Sequence, residues 1–593
     1  MSLDDPHDNI DASQPADSPR RAFLGRAGAG LAGLAATAVA PALLTTPANA
    51  QSDVPDAASY DAAFRQRAHK LRAELAATNA KEPIPPHPTN GDEARYANKI
   101  GSDSRALPHN ARGEVDLAAW KAATTAFATR EPADFEKIPL GGTRKLLNPI
   151  GTLAVSLDGL NASQFALPPA PALASAARAS EAIEIYWVSL LRDVPFSEFR
   201  DDTSHRDVIA AAEELSKAPD FHGPKAGGKV TPQTLFRGAA FYVDPNDRSG
   251  RTGRWATPPG VTDGPYLSQF LYRDVPFGPQ SLSARIRTYT PANEFLIQPD
   301  EWLSVQNGNA PKGRIAFDPT PRYIATGRDL AAYAHASVAL NILANQLLGT
   351  PSSPDAAYGG IFPASQNTLA ASNPYLRLKT SGGASGTFGA AYFQSVLSLA
   401  ASLGIRINYY QKWYEQRVLR PEAFGGLVQQ RLAQGVSEYP IHEAFLGSQA
   451  LARSRAKSGS FLLSQVYPEG APIHSSYPGG AAIIGAVTAT LLKAFYDESL
   501  VIPNPVQPDP NDPTKLVPYQ GPPLTVGGEL NKLALNNGSG RTAAGIHWRS
   551  DAAASYAQGE ALVISILREQ KATFREPFDA FSFTRFDGTR ATV

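Results

Sequence analysis

The stretch FGAAYFQSVLSLAASLGIRINYYQKWYEQR, residues 388–417, decides the fold. Its apolar side chains recur at helical spacing and dominate one broad face, the pattern of a helix buried in a bundle. Three further stretches read the same way: 329–348, 480–497 and 542–571. A shorter run, EAIEIYWVSLL (181–191), is also apolar at helical spacing and stops at Arg192-Asp193-Val194-Pro195. An amphipathic helix is expected from Ser52 to about Ala80, ahead of the loop IPPHPTNGDE (84–93). Between Gly223 and Pro279, Gly and Pro are frequent and no period is sustained, so long ordered loops are expected there. Strand signals are confined to short runs such as Phe581–Phe586. The fold class is all-α, with one large core continuing through an N-terminal half, 51–325, and a C-terminal bundle, 326–593.

A chain of 593 residues allows three to four domains of about 150 residues, or fewer large ones. Hydrophobic residues make up 43% and charged residues 19%, with 55 basic side chains against 55 acidic. That balance argues against a disordered polyelectrolyte and against nucleic-acid binding through bulk charge. Cysteine is absent, which excludes disulfides, thiolate metal sites, iron–sulfur clusters and a Cys nucleophile. The single methionine is Met1, so the remaining chain lacks both of the most easily oxidised side chains. Residence near an oxidant, one the protein itself makes, accounts for this; so does drift in an Ala-, Pro- and Arg-rich genome.

The N-terminus carries the arginine pair Arg20-Arg21 before Phe23-Leu24, an Ala/Gly/Leu stretch from Ala27 to Leu44, and Ala48-Asn49-Ala50 before Gln51. These are the charged, apolar and small-residue parts of an export signal of the twin-arginine type, spanning 1–50. The stretch is too rich in Ala and Gly for a stable membrane span. No other segment reaches that length of apolar sequence, so the exported protein, periplasmic or secreted, is expected to be soluble and free of the membrane. Removal of 1–50 deletes Arg20, Arg21 and Arg26 with Asp4, Asp5, Asp8, Asp11 and Asp17, leaving the charge near neutral.

Three clusters carry chemistry. In YYQKWYEQRVLRPEAFGG (409–426), Lys412 and Arg420 lie eight residues apart. If both are helical, they sit about 80° apart around the axis, near enough to converge on one anion. Pro421 is expected to end that helix and leave Arg420 at its mouth. In YPEGAPIHSSYPGGAAIIGAV (467–487), Pro478 precedes a helix that starts Gly479-Gly480-Ala481-Ala482, and first-turn N–H groups without crowding side chains suit an anion. His474 in the preceding loop can reach the same space. In SGRTAAGIHWRSD (539–551), His547 and Asp551 are four residues apart and share a face if helical, with Arg541 six residues upstream of the histidine. The carboxylate then fixes one imidazole nitrogen and leaves the other as nucleophile or metal ligand. Taken singly, each cluster also fits an ordinary structural or solvated arrangement.

Taken in order, K-x7-R-P, H-x-x-Y-P-x-G and R-x5-H-x3-D resemble the active-site signature of vanadium-dependent haloperoxidases, in the spacing of the bromoperoxidase branch, within the acid phosphatase superfamily. Segments such as IPLGGTRKLLNP (138–149), YWVSLLRDVPFSEF (186–199), GPYLSQFL (264–271) and FTRFDGT (583–589) extend the likeness over nearly the whole mature chain. The resemblance implies two four-helix bundles with vanadate between helices. It makes His547 the vanadium ligand with Asp551 behind it, and gives the vanadate oxygens to Lys412, Arg420, Arg541 and the Gly480 N–H beside Gly479. Phosphate would be a substitute occupant, and no haem is expected. Hydrogen peroxide, a halide and a small organic substrate are the implied partners, with no nucleic acid, and a homo-oligomer is the implied assembly. The family reads Y-P-(S/A)-G-H-A where this chain has Tyr477-Pro478-Gly479-Gly480-Ala481-Ala482. Ala481 thus stands in for the acid–base histidine and has no proton to give or take, which leaves His474 as a surrogate acid–base group through water. Losing such a group typically removes about 10²- to 10⁴-fold of rate. The implied activity is an attenuated peroxide-dependent oxidation of bromide or iodide. The alternatives are a redox-silent relative using the same basic pocket, or a non-enzymatic phosphate or vanadate binder.

Overall fold

The computed structural model describes residues 57–201, 203–277, 279–335, 347–349, 360–363, 365–382 and 386–593. The expected export signal lies outside them. Residues 69–593 form one compact unit, and the site described below lies within it.

Its frame is helical. The elements that matter here are α1 (Ala57–Lys81), α2 (Leu117–Thr129), α3 (Ala176–Leu191), α4 (Arg206–Lys217), α5 (Gly327–His335), α6 (Ala390–Tyr410), α7 (Pro421–Ala433), α8 (Gln449–Ser458), α9 (Gly480–Phe495), α10 (Val526–Ala543) and α11 (Arg549–Thr573). Four antiparallel strand pairs edge the loops, among them β1 (Ala240–Val243) with β2 (Gly253–Ala256), where Ala240 faces Ala256, inside the stretch expected to be loop alone.

Two hydrophobic cores organise the helices. One gathers Leu397 and Leu403 of α6, Ile483, Val487 and Leu491 of α9, Leu530 and Ala534 of α10, and Leu562 and Ile566 of α11. The other gathers Ile183 and Trp187 of α3, Val208 and Leu215 of α4, Phe424 and Val428 of α7, Leu451 of α8, and Trp548. The first core also takes Leu330 and Tyr333 of α5, so it draws on five helices, and the second joins side chains from both sides of residue 326. Helix α9, GAAIIGAVTATLLKAF, is apolar all round and correspondingly buried from Ala482 to Phe495.

The helix boundaries differ from expectation at places that matter. The 388–417 helix is α-helical only from Ala390 to Tyr410; a π-helical turn carries it through Gln416, and Arg417 (φ 34°) ends it in the left-handed region. Pro421 does not end a helix but begins one, at the first position of α7 with Arg420 as its N-cap. The expected 542–571 helix is two: α10 stops at Ala543, and α11 starts at Arg549 behind the N-cap Trp548. Gly545, at φ 90°, makes that break, because the left-handed turn cannot continue a helix. Most of α10 went unread, since its Asn, Gly and Ser content resembles a loop. Of the expected 329–348 helix, α5 is described to His335.

Together with its π turn, α6 forms Ala390–Gln416, the one helix among the described residues long and apolar enough, by length and composition, to cross a membrane. This corrects the expectation that the N-terminal segment alone has that length. Its Phe393, Val396, Leu397 and Ile407 are packed in the protein core.

Helices α9 and α10 approach closely at Gly485, where an added Cβ would lie 2.7 Å from the carbonyl oxygen and 2.9 Å from the Cα of Ala534. Gly485→Ala is expected to force α9 and α10 apart and lower unfolding stability by about 1–3 kcal/mol, measured by chemical denaturation.

Candidate functional site

Four chain ends meet between the two cores: the π turn of α6, the start of α7, the loop 471–479 leading into α9, and the break 544–548 between α10 and α11. Each delivers polar side chains that no surrounding hydrophobe can satisfy.

The π turn carries Lys412, which has no exposed surface. Its Nζ donates to the carbonyl oxygens of Ser475 and Ser476, both at 2.8 Å. An ammonium has three donors, so one remains. Burial, with Arg420 nearby, holds the Lys412 pKa well below its ordinary value.

Arg420 is equally buried. Its Nε donates to His474 O at 3.1 Å, its Nη1 to Ile546 O at 2.7 Å and to His547 Nε2 at 3.0 Å, and its Nη2 to His474 Nδ1 at 2.9 Å. One guanidinium thereby ties the loop before α9 to the break before α11. Burial first, and the like charge of Arg105 second, pull its pKa down to about 9.

His547 and Asp551 are paired, though by a different geometry from the one expected. His547 lies in the break, just ahead of the N-cap, and Asp551 sits in the first turn of α11. The Asp551 carboxylate accepts from His547 Nδ1 at 2.8 Å and from the Trp548 N–H at 2.9 Å through the same oxygen, Oδ2, which the Ser476 hydroxyl also reaches. Donation from Nδ1 leaves the lone pair on Nε2, and Nε2 accepts from Arg420. Desolvation, then the charges of Arg420, Lys412 and Arg541, keep the imidazole pKa well below 6.5, so His547 is neutral.

The start of α9 differs in a smaller way. Gly479 is the N-cap, and its N–H is spent on the carbonyl of Asp551 at 2.8 Å. The first-turn N–H groups outside the helix ladder therefore begin at Gly480. A Cβ on Gly480 would lie 3.7 Å from Asn408 Oδ1 and 3.9 Å from Tyr409 Cε1, in ordinary van der Waals contact with both. Arg541 is half-buried near the end of α10, and its charge is felt by His547, Tyr409 and Tyr467.

His474 is brought into the cluster but is held as an acceptor. Its Nδ1 takes the hydrogen bond from Arg420, and burial with the charges of Lys412 and Arg420 drives its pKa well below 6.5. The ring is therefore neutral, its Nδ1 facing the Arg420 Nη2 donor and, at 3.1 Å, the Ser475 carbonyl.

Exposure shows the way in. Lys412, Arg420, His474, His547 and Asp551 are at most 5% exposed, whereas Tyr409, Gly480, Ala481 and Arg541 are half-buried. A ligand therefore enters past the start of α9 and meets the cations and His547 behind it.

Sequence reasoning missed Arg105. This buried guanidinium donates to Ala471 O at 2.9 Å and to Pro472 O and His474 O, each at 2.6 Å, and pairs with Glu422 (3.1 Å) and Asp103 (2.7 Å). It sets the path of the loop that offers its carbonyls to Lys412 and Arg420. Nothing in its flanking sequence, GSDSRALPHN, marks it, because every partner but Asp103 lies more than three hundred residues away. Arg105→Ala leaves Glu422 buried and unpaired; it is expected to cost about 3–5 kcal/mol of unfolding stability, measured by denaturant titration.

No family model matches the chain. Among curated proteins, the vanadium-dependent bromoperoxidase of Ascophyllum nodosum is 29% identical over 564 residues, covering 92% of this chain and 94% of that protein. The vanadium-dependent bromoperoxidase of Corallina pilulifera is 29% identical over 615 residues, covering 88% and 96%. Among solved structures, the second vanadate-dependent bromoperoxidase of Ascophyllum nodosum, a homohexamer, superposes with a TM-score of 0.78 at 25% identity over 95% of each chain. In both sequence and fold, then, the chain is similar to the vanadium-dependent bromoperoxidases.

Proposed function

We propose that this chain holds vanadate at His547 and oxidises bromide or iodide with hydrogen peroxide, at a rate limited by Ala481. The observation that carries this reading is the neutral His547, fixed by Asp551 and buried among Lys412, Arg420 and Arg541. A neutral imidazole with its lone pair on Nε2 is the form in which histidine ligates a metal. The surrounding cations suit the oxygens of a tetrahedral oxyanion, Arg as a planar fork and Lys as a point charge. Half-buried Gly480 adds a first-turn N–H of α9. The donor set therefore fits vanadate, and it also fits phosphate as a substitute.

When bound, vanadate supplies the Lewis acidity that makes peroxide electrophilic toward a halide. The protein does the rest. Asp551 keeps the proton on His547 Nδ1. Arg420, whose Nη1 now meets Nε2, would be one of the residues that hold the oxyanion. Lys412 contributes its third donor, and Arg541 adds positive charge from the exposed side. The cost falls on proton handling, because Ala481 has no acidic hydrogen. The bromoperoxidase relatives support the halide assignment by likeness over nine-tenths of the chain.

Ala481 also supports a second reading, a redox-silent protein that uses the same basic pocket. Turnover of an organic substrate without vanadate or peroxide would favour it. The homohexamer of the Ascophyllum relative supports self-association of this chain, checked by sedimentation velocity. Export by the twin-arginine route rests on Arg20-Arg21 and Ala48-Asn49-Ala50 alone.

Protein soaked in orthovanadate is expected to oxidise a phenol reporter with peroxide and bromide or iodide above a boiled control; no halide-dependent signal overturns the reading. His547→Ala is expected to abolish the activity. Ala481→His is expected to raise it by about 10²- to 10⁴-fold, the usual worth of a general acid–base group.

A further inference from the structure

Tyr409 stands at the open edge of the site, three residues before Lys412 in the last turn of α6. Its ring lies 4.8 Å from that of His474, tilted by 44°. Its Cε1 is 3.9 Å from where a Gly480 Cβ would be, so the phenol packs beside the first N–H of α9. The side chain is half-buried, and among the described residues its hydroxyl makes no hydrogen bond. Beside it, Asn408 is wholly buried with neither amide oxygen nor nitrogen partnered, its Oδ1 3.7 Å from the same Gly480 position.

The position left without a proton by Ala481 is in the first turn of the same helix. Of the groups close to it, His474 is committed to Arg420 through Nδ1. Lys412 and Arg420 are tied to carbonyls. Tyr409 alone of these combines an uncommitted O–H with access to solvent. Burial raises its pKa against the opposing charges of Arg420 and Arg541, so the hydroxyl stays protonated and available as a donor.

We infer that Tyr409 is the proton donor of this site: its Oη–H hydrogen-bonds an oxygen of the oxyanion held at His547 and hands its proton to that oxygen, taking the role that Ala481 cannot fill. The proton leaves Tyr409 Oη, the negative charge left there faces Arg541 and Arg420, and water from the exposed side returns the proton. Asn408 steadies the arrangement by offering its free amide across Gly480. This inference rests on the oxyanion reading above and deepens it.

Tyr409→Phe keeps the ring and removes only the hydroxyl. Equilibrium dialysis with orthovanadate, alongside His547→Ala as the site control, reads binding without requiring turnover. A charge-assisted hydrogen bond lost from the oxyanion is expected to weaken vanadate binding about ten- to a hundred-fold in Tyr409→Phe, with a parallel fall in bromide oxidation. In the Ala481→His background, where the histidine supplies the proton, Tyr409→Phe is expected to lower turnover by a smaller factor than in the wild-type chain. If wild type binds vanadate in a His547-dependent way and Tyr409→Phe binds and turns over equally well, Tyr409 is not the donor, while the oxyanion reading stands. If wild type binds no vanadate, that reading fails and the role of Tyr409 falls with it. Thermal melting of Tyr409→Phe at the wild-type temperature confirms that the fold is unchanged.

Discussion

Three cations buried between two helical cores are the constraint on which the rest of this structure depends. Lys412, Arg420 and Arg105 are each 3% exposed or less, and removing such charges from water costs several kcal/mol apiece unless every donor is used. Helices cannot offer the needed acceptors from their middles, because their carbonyls are already bonded within the helix. The acceptors come instead from loop carbonyls at Ala471, Pro472, His474, Ser475, Ser476 and Ile546. The loops are thus shaped by the cations and the cations held by the loops, which explains why four chain ends converge on one place.

The same cluster sets the state of His547. A histidine beside one carboxylate would ordinarily be drawn toward the imidazolium, but the neighbouring positive charges and the dry surroundings outweigh Asp551. A neutral ring, its Nδ1 hydrogen fixed and its Nε2 lone pair among cations, suits an electrophilic oxyanion centre better than a transferred proton. His474, held neutral by similar forces, accepts from Arg420 through Nδ1. The proton chemistry is pushed outward to the half-buried edge, where Tyr409, Ala481 and Arg541 lie.

Much of this was legible in the sequence, for physical reasons that can be named. Long apolar periodicities gave away α6, α9 and α11, because a helix buried in a bundle must be apolar over a wide face. The spacing of Lys412, Arg420, Arg541, His547 and Asp551 marked the residues that the fold does bring together. The local geometry was not legible. Pro421 is compatible with either end of a helix, and only the turn at Arg417 shows that it is a start. Gly545 reads as an ordinary residue within a helical pattern, yet it breaks that pattern and sets His547 ahead of α11. Arg105 was invisible, since its role is defined by partners far along the chain. Strand pairs of three or four residues, such as β1 and β2, carry too little pattern to be seen at all.

A crystal structure of the protein soaked in orthovanadate tests most directly whether His547 is the anchor of this site. The expected result is vanadium density joined to Nε2 of His547, with Arg420 Nη1 turned from that nitrogen to a vanadate oxygen and the Gly480 N–H facing another. Vanadate bound elsewhere, or an undisturbed Arg420–His547 hydrogen bond beneath an unligated Nε2, would contradict it.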